Sequence, residues 1–266
     1  MNPFRQSSIA AAAIIGLTLG VSAHAADPAP PIAAGELAAR LSALRQNGST
    51  YVRLRLEVKG ATNETLQLQI KERRTKTASD VVYQVIWPKE RKGESVLLRK
   101  AGNRPASGSV FVPPSAARPI DDLKALLLGS DLAYEDVIED FFAWDQQAMV
   151  GTEDVDRVNC QILESKPGKG ERSMYSSVRS WIDTRRMVPL RVEKYSGSGQ
   201  LVRRIDTTRV VADVGNHIPA NLTIRGPKGT TTELDGSRIK HDVAYTDRDF
   251  TVEGMQDVTT PRSSSE

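Results

Sequence analysis

Apolar and polar side chains alternate at every second position through most of this chain, and glycine or proline interrupts the alternation at short intervals. In residues 51–59, Val52, Leu54, Leu56 and Val58 alternate with Arg53, Arg55 and Glu57; in residues 64–71, Leu66, Leu68 and Ile70 alternate with Gln67 and Gln69. Successive side chains of a strand point to opposite faces, so this spacing predicts antiparallel strands with one face packed and the other toward water. Residues 80–87 are apolar at adjacent positions (Val81, Val82, Tyr83, Val85, Ile86, Trp87), which predicts a strand covered on both faces and stopped by Pro88. Short strands are expected at 94–99 and 109–112. From residue 157 the alternation returns in candidate strands 157–164, 175–184, 189–195, 201–212, 221–226, 230–235 and 238–245. The turns between them carry Pro167-Gly168, Gly197-Ser198-Gly199, Gly226-Pro227 and Asp235-Gly236.

Helical spacing is confined to two places. Leu37, Leu41 and Leu44 predict a short amphipathic helix over 35–44. In the middle of the chain, Ile120, Leu123, Leu126 and Leu127 form a first stripe, broken at Gly129. A second helix is expected from about Ala133 to Met149, with Val137, Ile138, Phe141, Phe142 and Trp144 on one side. Glu135, Asp136, Glu139 and Asp140 occupy its other side and read as a solvated face. The expected class is mainly β with helices (α+β). A curved antiparallel sheet forms an incomplete β-barrel, closed by the N-terminal helix and the central amphipathic helix.

The chemistry available is sparse. Beyond the first 25 residues there are two histidines, His217 and His241, and the chain has a single cysteine, Cys160. That excludes a disulfide framework and a multi-thiolate zinc site, and no HExxH, nucleophile elbow or phosphate-binding glycine loop is present. The expectation is a non-enzyme without cofactor or metal. Cys160 reads as a buried small hydrophobe. A formal net charge of +3 over 266 residues is too weak to indicate a nucleic-acid partner. Lys71, Arg73, Arg74 and Lys76, and the run from Lys89 to Lys92, read as loop clusters kept for solubility.

The N-terminus resembles an export signal: Arg5, then an apolar run from Ile9 to Val21, then Ala23-His24-Ala25 as the cleavage pattern. The run is shorter than the roughly 18–20 residues that span a bilayer. The expected organisation is a cleaved signal peptide over 1–25, a Pro/Ala-rich spacer over 26–34, a single domain over 35–258 and a disordered tail over 259–266. Periplasmic localisation follows from that expectation. Aromatic residues make up only 5% of the chain. An interior of Leu, Val and Ile would suit acyl chains, although the same residues would also fill an ordinary core.

The run Leu128, Gly129, Ser130, Asp131, Leu132, Ala133, Tyr134, Glu135, Asp136, Val137 resembles the G-S-D-F-S-Y-E-D-L segment of the LolA-like outer-membrane lipoprotein-sorting family (LolA/LolB-type fold). Pro88 to Leu98 with Gly93 inside, Phe111-Val112-Pro113, Cys160 to Glu164, Trp181-Ile182-Asp183, Pro189-Leu190-Arg191 and Gly199-Gln200-Leu201 follow in the order that family shows. Two positions depart from it. Ala133 stands where the family has a helix-capping serine, at a cost of about 1 kcal/mol unless Asp131 caps one turn earlier; Leu132 replaces a phenylalanine. The resemblance implies a periplasmic carrier, or chaperone, that binds acyl chains of lipoproteins or lipids in an apolar cavity. It would move them toward the outer membrane, from an inner-membrane transporter to an outer-membrane acceptor. The expected cavity lining is Leu54, Leu56, Leu68, Ile70, Val85, Trp87, Leu190 and Val192, under a helical lid carrying Leu126, Val137, Phe141 and Phe142. Strand parity alone leaves open which face turns inward. The alternative is a sensor or binding subunit that docks on an envelope membrane protein, a transporter or an anti-sigma factor.

Overall fold

The computed structural model describes residues 32–45, 48–102 and 104–259. The expected signal peptide 1–25, residues 26–31 of the spacer and residues 260–266 of the tail lie outside the described residues.

The chain opens with helix α1 (Ala34–Arg45), which buries Leu37, Ala38, Leu41 and Ser42. Six strands follow as a meander: β1 (Gly48–Lys59), β2 (Glu64–Arg74), β3 (Ala78–Trp87), β4 (Ser95–Ala101), β5 (Ser107–Phe111) and the two-residue β6 (Arg118–Pro119). A second meander runs through β7 (Gln146–Val155), β8 (Val158–Lys166), β9 (Ser177–Asp183), β10 (Val188–Tyr195), β11 (Leu201–Asp213), β12 (Asn216–Arg225) and β13 (Thr231–His241). They form one 13-stranded sheet in the order β6-β5-β4-β3-β2-β1-β13-β12-β11-β10-β9-β8-β7. The sheet is antiparallel throughout and does not close, because β6 and β7 are both edges. Every pair of neighbours is also consecutive in sequence except β1 with β13, which joins the two meanders.

Register aligns the apolar positions across the strands. Leu222, Leu234, Leu56 and Leu66 pair in one row, and Ile239, Val52, Ile70, Tyr83 and Val96 in another. Such rows are the unit of sheet stabilisation, and they place all these side chains on one face. Two predicted strands, 230–235 and 238–245, are a single strand β13. Its irregularity falls where Arg53 and Leu54 of β1 meet Arg238 and Gly236. A Cβ at Gly236 would come within 3.0 Å of the Ala220 carbonyl oxygen, so the close approach of β12 explains the glycine.

The opposite face of β1–β4 is not left to water, contrary to the expectation for the alternating strands. The C-terminal segment 245–257 covers it. Phe250 and Met255 pack with Val82 and Leu97, and a polar chain runs beneath them. The Tyr51 hydroxyl donates to Gln69 (2.9 Å), Gln69 to Gln84 (2.5 Å), and Gln84 to the Met255 carbonyl (2.8 Å). Gln69 and Gln84 are fully buried, which is tolerable because each is hydrogen-bonded. Lys71, expected in a loop cluster, is also buried on this face, 3.4 Å from the Asp257 carbonyl. Arg73 and Arg74 belong to β2 and are ion-paired with Asp80 and Glu72.

The connection from β6 to β7 crosses the apolar face, and it is far less helical than its spacing predicts. The stripe from Ile120 to Leu127 is not a helix: Leu127 begins a 3-10 turn (Leu127–Gly129) with Leu128 at φ 51° and Gly129 at φ 87°. The expected helix 133–149 is only α2 (Tyr134–Ile138), followed by a separate 3-10 turn (Phe141–Ala143) and then β7. The break falls at Asp140, whose carboxylate accepts from the Phe142 amide (3.3 Å) and from the Ser42 hydroxyl of α1 (2.7 Å). The break lets the two halves of the segment bury their apolar residues in different places. Tyr134 and Ile138 join the cluster over β1–β4, while Phe141, Phe142 and Trp144 join Leu37, Ala38 and Leu41 of α1.

Candidate ligand-binding groove

The acids of the central segment do not form a solvated face. The Asp136 side chain is fully buried, with Lys194 Nζ at 2.7 Å, Arg203 Nη1 at 2.6 Å and the Tyr175 hydroxyl donating at 2.7 Å. Its Oδ2 also accepts from the Ala133 amide (2.6 Å), half of a capping box whose serine half is missing. Asp131 does not cap α2; it accepts from Thr230 (2.7 Å) and Thr232 (2.8 Å). Glu135 accepts from the Met174 amide (3.0 Å) and from Ser173, and Glu139 is paired with Lys100 (2.6 Å). Burial alone would push Asp136 up, but Lys194 and Arg203 overcome that and hold its carboxyl below the usual range. In Glu135 burial wins over its hydrogen bonds and the carboxyl is raised. The polar residues of the 128–137 run therefore fasten the segment to β10, β11, β13 and the 173–175 loop.

Beside this fastened segment the apolar face stays open. A groove of about 550 Å³ lies between the C-terminal end of α1, β1, β2 and the β11–β12 hairpin. A hollow of about 340 Å³ adjoins it, the two sharing Val52, Asp213, Ile218 and Ile239. Val52, Leu54, Val211, Ile218, Leu222, Leu234 and Ile239 supply the apolar walls. Arg45, Glu72, Arg74, Asp213, His217, His241 and Asp242 supply a charged end. There His241 Nε2 lies 2.7 Å from Asp213 Oδ2, tying β13 to β11. The volumes fall within the roughly 300–1,000 Å³ usual for small-molecule sites.

Leu54 is the member of the expected lining set that faces this groove. Leu56, Leu68, Ile70 and Val85 lie in the cluster beneath Leu127, Leu128, Leu132, Tyr134 and Ile138, with Val137 packed against it. Val192 packs with Phe141 and Phe142 against α1, and Leu190 with Cys160 and Trp181. Trp87 is half exposed at the end of β3, and Leu126 bridges to Ala133 within the central segment. Val211, Ile218, Leu222, Leu234 and Ile239, which also wall the two hollows, lie outside the expected set. Their alternation is visible in the sequence, but the pairing of β13 with β1, which brings them to Val52 and Leu54, is not.

Cys160 is fully buried, and burial pushes its thiol up to about 11. Iodoacetamide at pH 7.5 is expected to leave it unlabelled in the native protein and to label it fully in denaturant. Rapid native labelling, read by mass spectrometry, would contradict this placement.

A family model described as "-like: Uncharacterized protein" matches residues 78–257. No curated protein matches the chain. Among solved structures, a DUF1329 family protein from Desulfovibrio piger is 23% identical with a TM-score of 0.76, over 82% of this chain and 95% of that one. An outer membrane lipoprotein-sorting protein domain from Vibrio parahaemolyticus is 17% identical with a TM-score of 0.75, covering 84% and 98%. A LolA superfamily protein from Nitrosomonas europaea is 19% identical with a TM-score of 0.67, covering 83% and 98%. At these identities the likeness is one of fold.

Proposed function

From the premise that this chain belongs to the family matched over residues 78–257 and has the LolA-like fold, we propose that it is a periplasmic carrier of acyl chains. It binds lipid or lipoprotein chains in the groove and moves them toward the outer membrane. The observation that carries this reading is the open apolar trough on the face of a sheet that is otherwise well packed. Burying a methylene is worth about 0.8 kcal/mol, so a chain of some 16 carbons has a driving force of roughly 12 kcal/mol for leaving water. A trough of Val, Leu and Ile supplies that without stacking or directional bonds. The work is binding and release, with no covalent step.

The expected lining residues keep a place in this proposal. Leu56, Leu68, Ile70 and Val85 would extend the trough once the segment 127–138, Val137 included, lifts from the sheet. The ion pairs of Asp136 and the hydrogen bonds of Asp131 hold that segment down in the state described. Export by the signal-like residues 1–25 would put the protein in the compartment where such cargo crosses water.

Native mass spectrometry of protein purified without detergent tests the reading, together with uptake of a fluorescent fatty acid. Co-purified lipid and saturable uptake are expected. A lipid-free protein that takes up nothing, yet forms a stable complex with an envelope membrane protein, would replace the carrier by a docking subunit.

A further inference from the structure

Among the described residues at the charged end of the groove, Arg45 is the cation with the loosest set of partners. Arg74 lines the groove, but its donors are engaged: Nε with Glu72, Nη1 with Ser79 Oγ (3.3 Å) and Nη2 with the Val137 carbonyl (3.1 Å). Lys100, in the adjoining polar hollow of about 160 Å³, is held by both oxygens of Glu139 at 2.6 Å. Arg45 lines both hollows, at the last position of α1. Its nearest carboxylate oxygen is Asp140 Oδ1 at 3.6 Å, too long for a hydrogen bond, and that oxygen already accepts from the Phe142 amide. Arg45 also lies over the Phe141 ring, 5.9 Å from Cζ, and within the field of Glu72. The side chain is only 26% exposed, and burial pulls its pKa down while Asp140 opposes. The guanidinium opens on the groove with donors that a ligand oxygen can engage in place of water.

We propose that the cargo of the groove is a long-chain amphiphile with a carboxylate head, seated on the Arg45 guanidinium while its chain runs along Val52, Ile218 and Ile239. The inference rests on the acyl-carrier reading and narrows its ligand class. Geometry favours this orientation because Arg45 stands at the charged end and the three apolar residues form the junction with the second hollow. Between anionic heads the charge ranks the monoanion first: Glu72, Asp140, Asp213 and Asp242 surround the end, and they would repel a phosphomonoester more strongly than a single carboxylate. A carboxylate also matches the guanidinium fork in two parallel hydrogen bonds.

The test measures binding of palmitate, hexadecanol and palmitoyl-lysophosphatidate to the full chain at pH 8, for the native protein and for Arg45→Gln and Arg45→Lys. Circular dichroism checks that each variant is folded. Palmitate is expected to bind about tenfold or more tighter than hexadecanol, as charge-assisted hydrogen bonds allow. Arg45→Gln is expected to erase that preference and Arg45→Lys to restore part of it, with hexadecanol unchanged throughout. Equal binding of palmitate and hexadecanol to the native protein would overturn the head-group assignment and leave the carrier reading standing. Tighter binding of lysophosphatidate than of palmitate would overturn the carboxylate. Failure of all three to bind would overturn both readings.

Discussion

Asp136→Asn is expected to cost about 3–5 kcal/mol of unfolding free energy, measured as a fall in the urea midpoint at pH 7. The carboxylate is fully buried between Lys194 and Arg203, whose side chains are 3% and 2% exposed. An amide keeps the volume but removes the charge, leaving two cations in low dielectric with nothing to balance them. A domain of this size has only about 5–15 kcal/mol in hand, so the midpoint should move far. A control separates lost charge from lost packing. Replacing the trio together, by Asp136→Leu with Lys194→Met and Arg203→Met, should recover much of the loss, because removing all the charges leaves none uncompensated. Recovery will be partial, since Arg203 also donates to the Asp131 carbonyl. A loss below about 1 kcal/mol in Asp136→Asn would show that the pairs do not hold the central segment.

The same carboxylate predicts the acid limb of stability. Its folded-state pKa lies below the ordinary 3.8. A depressed acid contributes stability that is fully present above the ordinary value and is lost as pH falls through the folded one. Denaturation midpoints should therefore drop steeply below about pH 4 in the native protein and less steeply in Asp136→Asn.

Ile218→Trp and Val52→Trp are expected to reduce uptake of a fluorescent fatty acid by more than a hundredfold while leaving thermal stability nearly unchanged. Both residues stand where the groove meets the second hollow. An indole there would displace roughly six methylenes of a bound chain, about 5 kcal/mol at 0.8 kcal/mol each. Because the groove is open, the larger side chain enters empty space and forces no core rearrangement. Val150→Trp, at an exposed position on edge strand β7, controls for the indole itself and should bind as the native protein does. Undiminished uptake in both groove variants would mean that acyl chains bind elsewhere or not at all.

Period-two spacing was enough to place β1, β2 and most of β8–β12, because a half-buried strand prints its own burial pattern in the sequence; the continuous apolar run before Pro88 placed β3. The 128–137 run was legible as a family likeness, yet its role was not. Glu135 and Asp136 follow a spacing that also describes a solvated helix face. Only their distant partners, Ser173, Tyr175, Lys194 and Arg203, decide that they point inward. Phe141, Phe142 and Trp144 sit at helical intervals from Ile138, but the Ser42–Asp140 contact and the demands of two separate clusters break the helix between them. Buried Gln69 reads as exposed because a segment far along the chain covers that face, reaching it through Gln84.

By itself, the order of residues determined the strands, the antiparallel class and an interior of Leu, Val and Ile, since these depend on neighbours within a few positions. Tertiary structure decided which part of that apolar face is filled and which stays open. The pairing of β1 with β13 brings Val52 and Leu54 to Ile218, Leu234 and Ile239, while the central segment covers Leu56, Leu68, Ile70 and Val85. Both depend on contacts between residues far apart in sequence, set by burial and by ion pairs that no local pattern records.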